Sequence, residues 1–127
     1  MAAAITRSLT DRPLFCELLA HAPLTLERHV SLESVRSFKL SALDALDDLV
    51  ELLTRALPGL GATGGRNVVA AVTALAASLW QTSHPPDTLA QLYAEDPRLG
   101  HAVVDFAPRL EHLTRAVLIG LVSADDA

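Results

Sequence analysis

Apolar residues recur at spacings of three and four along most of the chain, the period of helices that bury one side. The longest such run is Val35, Phe38, Ala42, Leu46, Leu49, Val50, Leu53 and Leu57, with Asp44, Asp47, Asp48 and Glu51 on the opposite side. Ser31 stands ahead of it as an N-cap, and Glu33 falls in the first turn, where the helix dipole favours an anion. Pro58 and Gly59 stop it. Upstream, Met1 to about Leu9 reads as helix, but no Ser, Thr, Asp or Asn precedes it to receive the free N–H groups of its first turn. Asp11 is placed to cap a second helix with Pro13 in its first turn, running through Phe15, Leu18 and Leu19 until Pro23 interrupts it. A short helical turn is expected around Leu24 to Arg28.

Downstream, the segment GLGATGG reads as a connection between helices, with Thr63 as the next cap. It is no phosphate-binding loop, because no strand precedes it and no Gly-Lys-Ser/Thr follows. The helix from about Gly64 to Thr82 has two uncharged faces. Val68, Val69, Val72, Leu75, Ala76 and Leu79 form one; Asn67, Ala70, Ala74, Ala77, Ser78 and Gln81 form the other, made of small and polar residues. A helix with so little charge around it needs cover on both sides, and in a chain this short the second cover is expected to be another subunit. His84, Pro85 and Pro86 end it. A short helix follows, roughly Asp87 to Ala94, carrying Leu89, Leu92 and Tyr93. After a connection at Asp96-Pro97, Asp105 can cap a last helix with Pro108 in its first turn. Phe106, Leu110, Leu113, Val117 and Leu121 make its stripe, with Val104, Leu118 and Ile119 adding apolar surface beside it. Nothing alternates with the period of two that a half-buried strand requires. The fold is expected to be all-α, a bundle of about six helices with no internal repeat.

Composition narrows the function. A chain of 127 residues that is 50% hydrophobic is one ordinary domain with one core. A net charge of -5 excludes the basic stripe that would track a phosphate backbone, so this chain alone is not expected to hold DNA. Cys16 is the single cysteine, which rules out an intrachain disulfide, and no apolar run reaches the length of a membrane span. The opening MAAAITRSL lacks the charged start, apolar middle and cleavage signal of a secretory leader. A soluble, cytoplasmic protein without membrane association is expected. One lysine, Lys39, stands against nine arginines, and alanine and leucine abound, a bias associated with GC-rich bacterial genomes.

The order of these segments resembles a known family. RPLFCELLAHAPLTLERHVSLESVRSFK, then an alanine-rich helix ending in LW, a Pro-Pro break and VDFAPRLEHLTRAVLIGL, resemble the C-terminal effector-binding and dimerisation domain of tetracycline-repressor-like (TetR) transcriptional regulators. The resemblance covers nearly the whole chain, although no single phrase in it is an active-site motif. It implies a homodimer, in which the 64–82 and 106–122 helices pair with their mates in a four-helix interface. It also implies a small-molecule effector bound between helices, and DNA contact only through a preceding helix-turn-helix domain. That domain is absent from this chain, and the capless helix at Met1 fits a boundary there. The interface expected from the resemblance comprises Asn67, Ala70, Ala74, Ala77, Ser78, Gln81, Leu110, Leu113, Val117, Leu118 and Leu121, which agrees with the excess apolar surface of those helices.

A candidate ligand pocket can be assembled from Phe15, Leu18, Leu19, Phe38, Lys39, Trp80, His84, Leu92 and Tyr93: apolar walls, with His84 and Tyr93 as polar groups. Each has a plainer reading. Lys39 flanks the apolar stripe of the long helix, where a lysine stem commonly lies along apolar surface with its ammonium in water, or pairs with Glu17 or Glu27. Trp80 beside His84 and the Pro-Pro break can wall one end of a cavity or simply fill core or interface. His21, His29, His84, His101 and His112 show no metal-ligand spacing, so no metal is expected. The acidic run from Asp44 to Glu51 reads as a solvated helix face, and Cys16 as a small buried hydrophobe. Asp105 with Arg109 and Glu111 with Arg115 are i,i+4 surface pairs.

Three functions compete. The leading one is the ligand-sensing and dimerisation domain of a TetR-like regulator, binding a small, mainly apolar effector. The second is a stand-alone helical dimer that titrates a partner regulator by forming a mixed pair. The third, a small all-α enzyme, has no nucleophile and base at working spacing to support it, so no catalytic residue and no cofactor is expected.

Overall fold

The computed structural model describes residues 1–21 and 30–125, with side chains as far as Ser123. Six α-helices are described: α1 (Ala2–Thr10), α2 (Pro13–His21), α3 (Leu32–Ala56), α4 (Gly61–Ser83), α5 (Asp87–Glu95) and α6 (Phe106–Asp125). Two 3-10 turns join them, at Pro58–Leu60 and Pro97–Ala102. There is no strand among the described residues, so the all-α expectation holds. The turn expected around Leu24 to Arg28 lies outside them, as do Glu27 and His29.

The long helix starts as its sequence dictates: the Ser31 side chain accepts the Ser34 N–H at 3.2 Å, with Glu33 in the first turn. Helix α1 begins at Met1 with no side-chain cap. Asp11 is the C-cap of α1, and its N–H bonds back to Arg7 O at 2.9 Å. The glycine-rich connection differs from expectation. Pro58–Leu60 forms a 3-10 turn, Gly61 takes a positive φ of 61°, and α4 starts there, ahead of Thr63. A left-handed residue lets the chain reverse in one step, and only glycine occupies that region without strain. The reversal then leaves Thr63 inside the helix, with no end to cap.

Helix α4 is the centre of the bundle. Helices α2, α3 and α6 pack on it, while α1 lies mainly along α6. Two buried clusters form the core. Ala2, Leu53, Leu60, Val68, Val72 and Leu118 make the first, at the α1–α3–α4–α6 end. Cys16, Ala76, Phe106 and Leu110 make the second, with Leu9, Leu19, Leu75, Leu79 and Trp80 packed around them. Helices α3 and α4 approach closely at Gly65, where an added Cβ would stand 3.0 Å from Val50 Cγ1. The missing side chain is what lets Val50 seat against the α4 backbone. Helix α5 packs against the Pro97–Ala102 turn and contributes no buried residue.

Two expectations about burial need correction. The apolar stripe of α3 is buried only toward its C-terminal end, at Val50 and Leu53; Phe38 is 61% exposed, because no described element covers that half of the helix. In α6, Leu110 and Leu118 were expected to face a partner, but they are 0% and 7% exposed and belong to this chain's own core. Phe106 and Leu110 keep the inward phase expected for the stripe, but further along the helix Thr114 and Leu118 are buried, each one residue after the expected Leu113 and Val117. No described helix is long and apolar enough to cross a membrane.

A candidate ligand cavity and an exposed helical face

Because α1 is docked on α6 and the C-terminal half of α3 on α4, a gap is left between α1 and α3. It forms a cavity of about 730 Å³. Helix α1 supplies Ala4, Ile5, Ser8 and Leu9, together with Met1 ahead of it. Phe15 comes from α2, and Leu49, Leu52, Leu53, Ala56 and Leu57 from α3 and its C-cap. The floor is one face of α4, with Val68, Val69, Val72 and Thr73. The volume lies within the range that takes a drug-sized molecule. None of the lining side chains is charged, and Ser8 and Thr73 are the polar ones.

Those two hydroxyls differ. Thr73 Oγ1 donates back to its own helix, at 2.9 Å from Val69 O and 3.1 Å from Ala70 O, which leaves only its lone pairs to offer. Ser8 Oγ accepts an N–H from Arg12 Nη1 at 2.8 Å, and the same nitrogen donates to Ser8 O at 2.6 Å. A second, more open hollow of about 600 Å³ lies at the other side of Met1, between the start of α1 and Arg115, Leu118, Ile119, Val122 and Ser123 of α6.

Of the nine residues expected to build a pocket, Phe15 alone lines this cavity. Leu18 is exposed, and Leu19 packs against the second core cluster. Phe38 and Lys39 are exposed on the N-terminal half of α3. Trp80 and His84 do meet, stacked with ring centroids 3.9 Å apart at 28°, and Trp80 also sits edge-on to Phe106 at 5.2 Å. The stack lies at the C-terminal end of α4, with His84 Nδ1 3.0 Å from Trp80 O. Leu92 is exposed and Tyr93 half-buried on α5. The cavity walls missed by sequence reasoning had one signal. Leu49, Leu52, Leu53 and Ala56 widen the stripe of α3 beyond what contact with α4 alone consumes.

The other side of α4 presents Asn67, Ala70, Ala74, Ser78 and Gln81, all exposed, with Ala77 half-buried. Gln81 Nε2 donates to Ala20 O at 3.1 Å, so it also ties α2 to α4. On α6, Leu113, Val117 and Leu121 are half-buried, and Ala116, Ile119 and Gly120 are exposed. A Cβ added at Gly120 would meet nothing within 4 Å. The small pair Ala116 and Gly120, one helical turn apart, was the signal for the outward face of α6.

Elsewhere the chemistry is that of a structural domain. Arg66 pairs with Asp47 across α3 and α4, and Arg115 with Glu111 at 3.1 Å within α6, both on the surface. Asp105 and Arg109, expected as an ion pair, meet through the backbone, Arg109 N–H to Asp105 O at 3.3 Å. Cys16 is buried and its Sγ lies 3.4 Å from Leu9 O; burial pushes its thiol pKa up, opposite to what a nucleophile needs. Among the described residues no group of three or more His, Cys, Asp or Glu gathers as a metal site.

Residues 1–125 match the model of the tetracyclin repressor-like, C-terminal domain. The chain belongs to that family. No curated protein matches it. Membership makes this a regulator domain of the ligand-binding and dimerisation type, carried in this TetR-type chain by a helical bundle with α4 at its centre.

Proposed function

We propose that this TetR-type domain senses a small, mainly apolar effector in the cavity between α1, α3 and α4, and pairs with a second copy through the outward faces of α4 and α6. The observation that carries the reading is that α4 has two uncharged faces. Val68, Val69, Val72 and Thr73 floor the cavity, while Asn67, Ala70, Ala74 and Ser78 lie exposed on the other side. A ligand and a partner would thus share one helix, and binding that favours one arrangement of α4 would shift the pairing of the two copies. The paired surface includes Ala116 and Gly120 and excludes Leu110 and Leu118. DNA is reached through a helix-turn-helix domain outside these 127 residues, so this chain by itself gives no sequence-specific gel shift.

The test has two arms. Light scattering should give a dimer that Ala74→Glu converts to a folded monomer, since a carboxylate cannot be desolvated against small apolar residues. Val69→Trp, which places an indole in the cavity, should abolish binding of the neutral fluorophore 1-aminoanthracene. A wild type that stays monomeric at tens of micromolar rejects the interface, and undiminished dye binding by Val69→Trp rejects the cavity.

A further inference from the structure

We infer that Ser8, oriented by Arg12, selects effectors that are neutral and carry a carbonyl or similar oxygen acceptor on an otherwise apolar body. The inference rests on the proposed cavity and adds what that cavity distinguishes. Ser8 lines it on the α1 wall, and its oxygen is held by the Arg12 guanidinium at 2.8 Å. An oxygen that accepts from a cation becomes a stronger donor through its own O–H, because successive hydrogen bonds polarise one another. Among the described residues Ser8 Oγ meets only Arg12, from which it accepts, so its hydroxyl proton is left for a ligand acceptor. Thr73, on the α4 floor, has its proton committed to Val69 O and Ala70 O and can only accept. The cavity therefore holds one available hydroxyl donor, at one wall, among apolar side chains.

Charge decides the rest. Arg12 does not line the cavity, and no lining side chain is charged; the one charge among the lining residues is the α-ammonium of Met1, about two helical turns along α1 from Ser8. A carboxylate seated at Ser8 would lose its hydration against the apolar lining side chains and gain one hydroxyl there in return, which does not balance. A ketone, ester or amide oxygen loses far less and gains the same hydrogen bond. An alkane of equal length is accepted without penalty but leaves the Ser8 donor unused.

The experiment compares three probes of equal chain length, 2-dodecanone, dodecane and dodecanoate, each displacing 1-aminoanthracene from the whole 127-residue chain and from Ser8→Ala, Arg12→Gln and Val69→Trp variants. In the wild type 2-dodecanone should outcompete dodecane by about three- to tenfold, the value of one hydrogen bond in a mostly apolar site. Dodecanoate should be the weakest of the three. Ser8→Ala should bring 2-dodecanone down to dodecane while leaving dodecane unchanged, and Arg12→Gln should reduce the preference in part. A ketone preference that survives in Ser8→Ala, or dodecanoate binding best, overturns the selectivity. Failure of the cavity itself reads differently: Val69→Trp would then leave dye and probes bound as before.

Discussion

Thr114 is fully buried, 0% exposed, and its hydroxyl has no hydrogen-bond partner; Thr6, 4% exposed, is in the same condition. The two residues lie on one seam. Ala2 shares a cluster with Leu118, and Leu9 reaches the cluster that holds Leu110, so α1 runs antiparallel along α6. Thr6 and Thr114 then fall in the middle of the seam. An unsatisfied buried hydroxyl costs about 1–3 kcal/mol, whereas valine has nearly the same shape and helix propensity. Thr114→Val should therefore stabilise the fold by about 1–2 kcal/mol. Unfolding entropy scaled to this chain length gives about 4 °C per kcal/mol, so the melting midpoint should rise by about 4–8 °C. The assay is a circular-dichroism or calorimetric melt at fixed protein concentration, because dimerisation makes the midpoint concentration-dependent. Thr6→Val should act in the same direction, and the double variant should be additive if each hydroxyl is separately unpaired. A midpoint that stays put or falls in Thr114→Val refutes the reasoning: the hydroxyl would then be satisfied in solution, and a strongly non-additive pair would identify a water shared with Thr6.

Gly65→Ala should destabilise the domain by about 1 kcal/mol by denaturant melts, because the crowding of buried Val50 at 3.0 Å outweighs the helix-propensity gain of alanine; a more stable variant would show that α3 can give way. The Asp96 carboxyl should titrate below its ordinary value by NMR, owing first to the Arg98 side chain and then to the Arg98 N–H. A lowered folded value makes its contribution present above the unfolded value and lost as pH falls through the folded one, so the local turn should loosen only in strong acid, and Arg98→Ala should remove the shift. Cys16 should resist thiol reagents in the native domain and react at the rate at which α2 opens from Leu9; immediate full labelling would contradict its burial.

Much of the architecture was legible because helices are specified locally. Ser31 capping the long helix, Pro58 and Pro85-Pro86 ending helices, and the three-and-four spacing of apolar residues all act within a few positions, so the sequence alone determined helix number, order and approximate bounds. It also marked α4 as a helix with two faces to cover. The glycine connection was misread because a 3-10 turn followed at once by a left-handed glycine leaves the same composition as an ordinary loop. What only the tertiary structure decided was which faces meet and where they fail to meet. A stripe can be computed from one helix, but its phase against a neighbour depends on how three or four helices share a core, which turned Leu110 and Leu118 inward and left Ala116 and Gly120 outside. The cavity is further still from sequence. It exists because α1 is held by α6 and α3 by α4, so that the gap between α1 and α3 belongs to no helix and is written in no segment. Trp80, His84 and Phe38 are the chain's conspicuous side chains, yet a void is made by relative placement, and Ser8, Leu52 and Val69 line it because of where their helices stand.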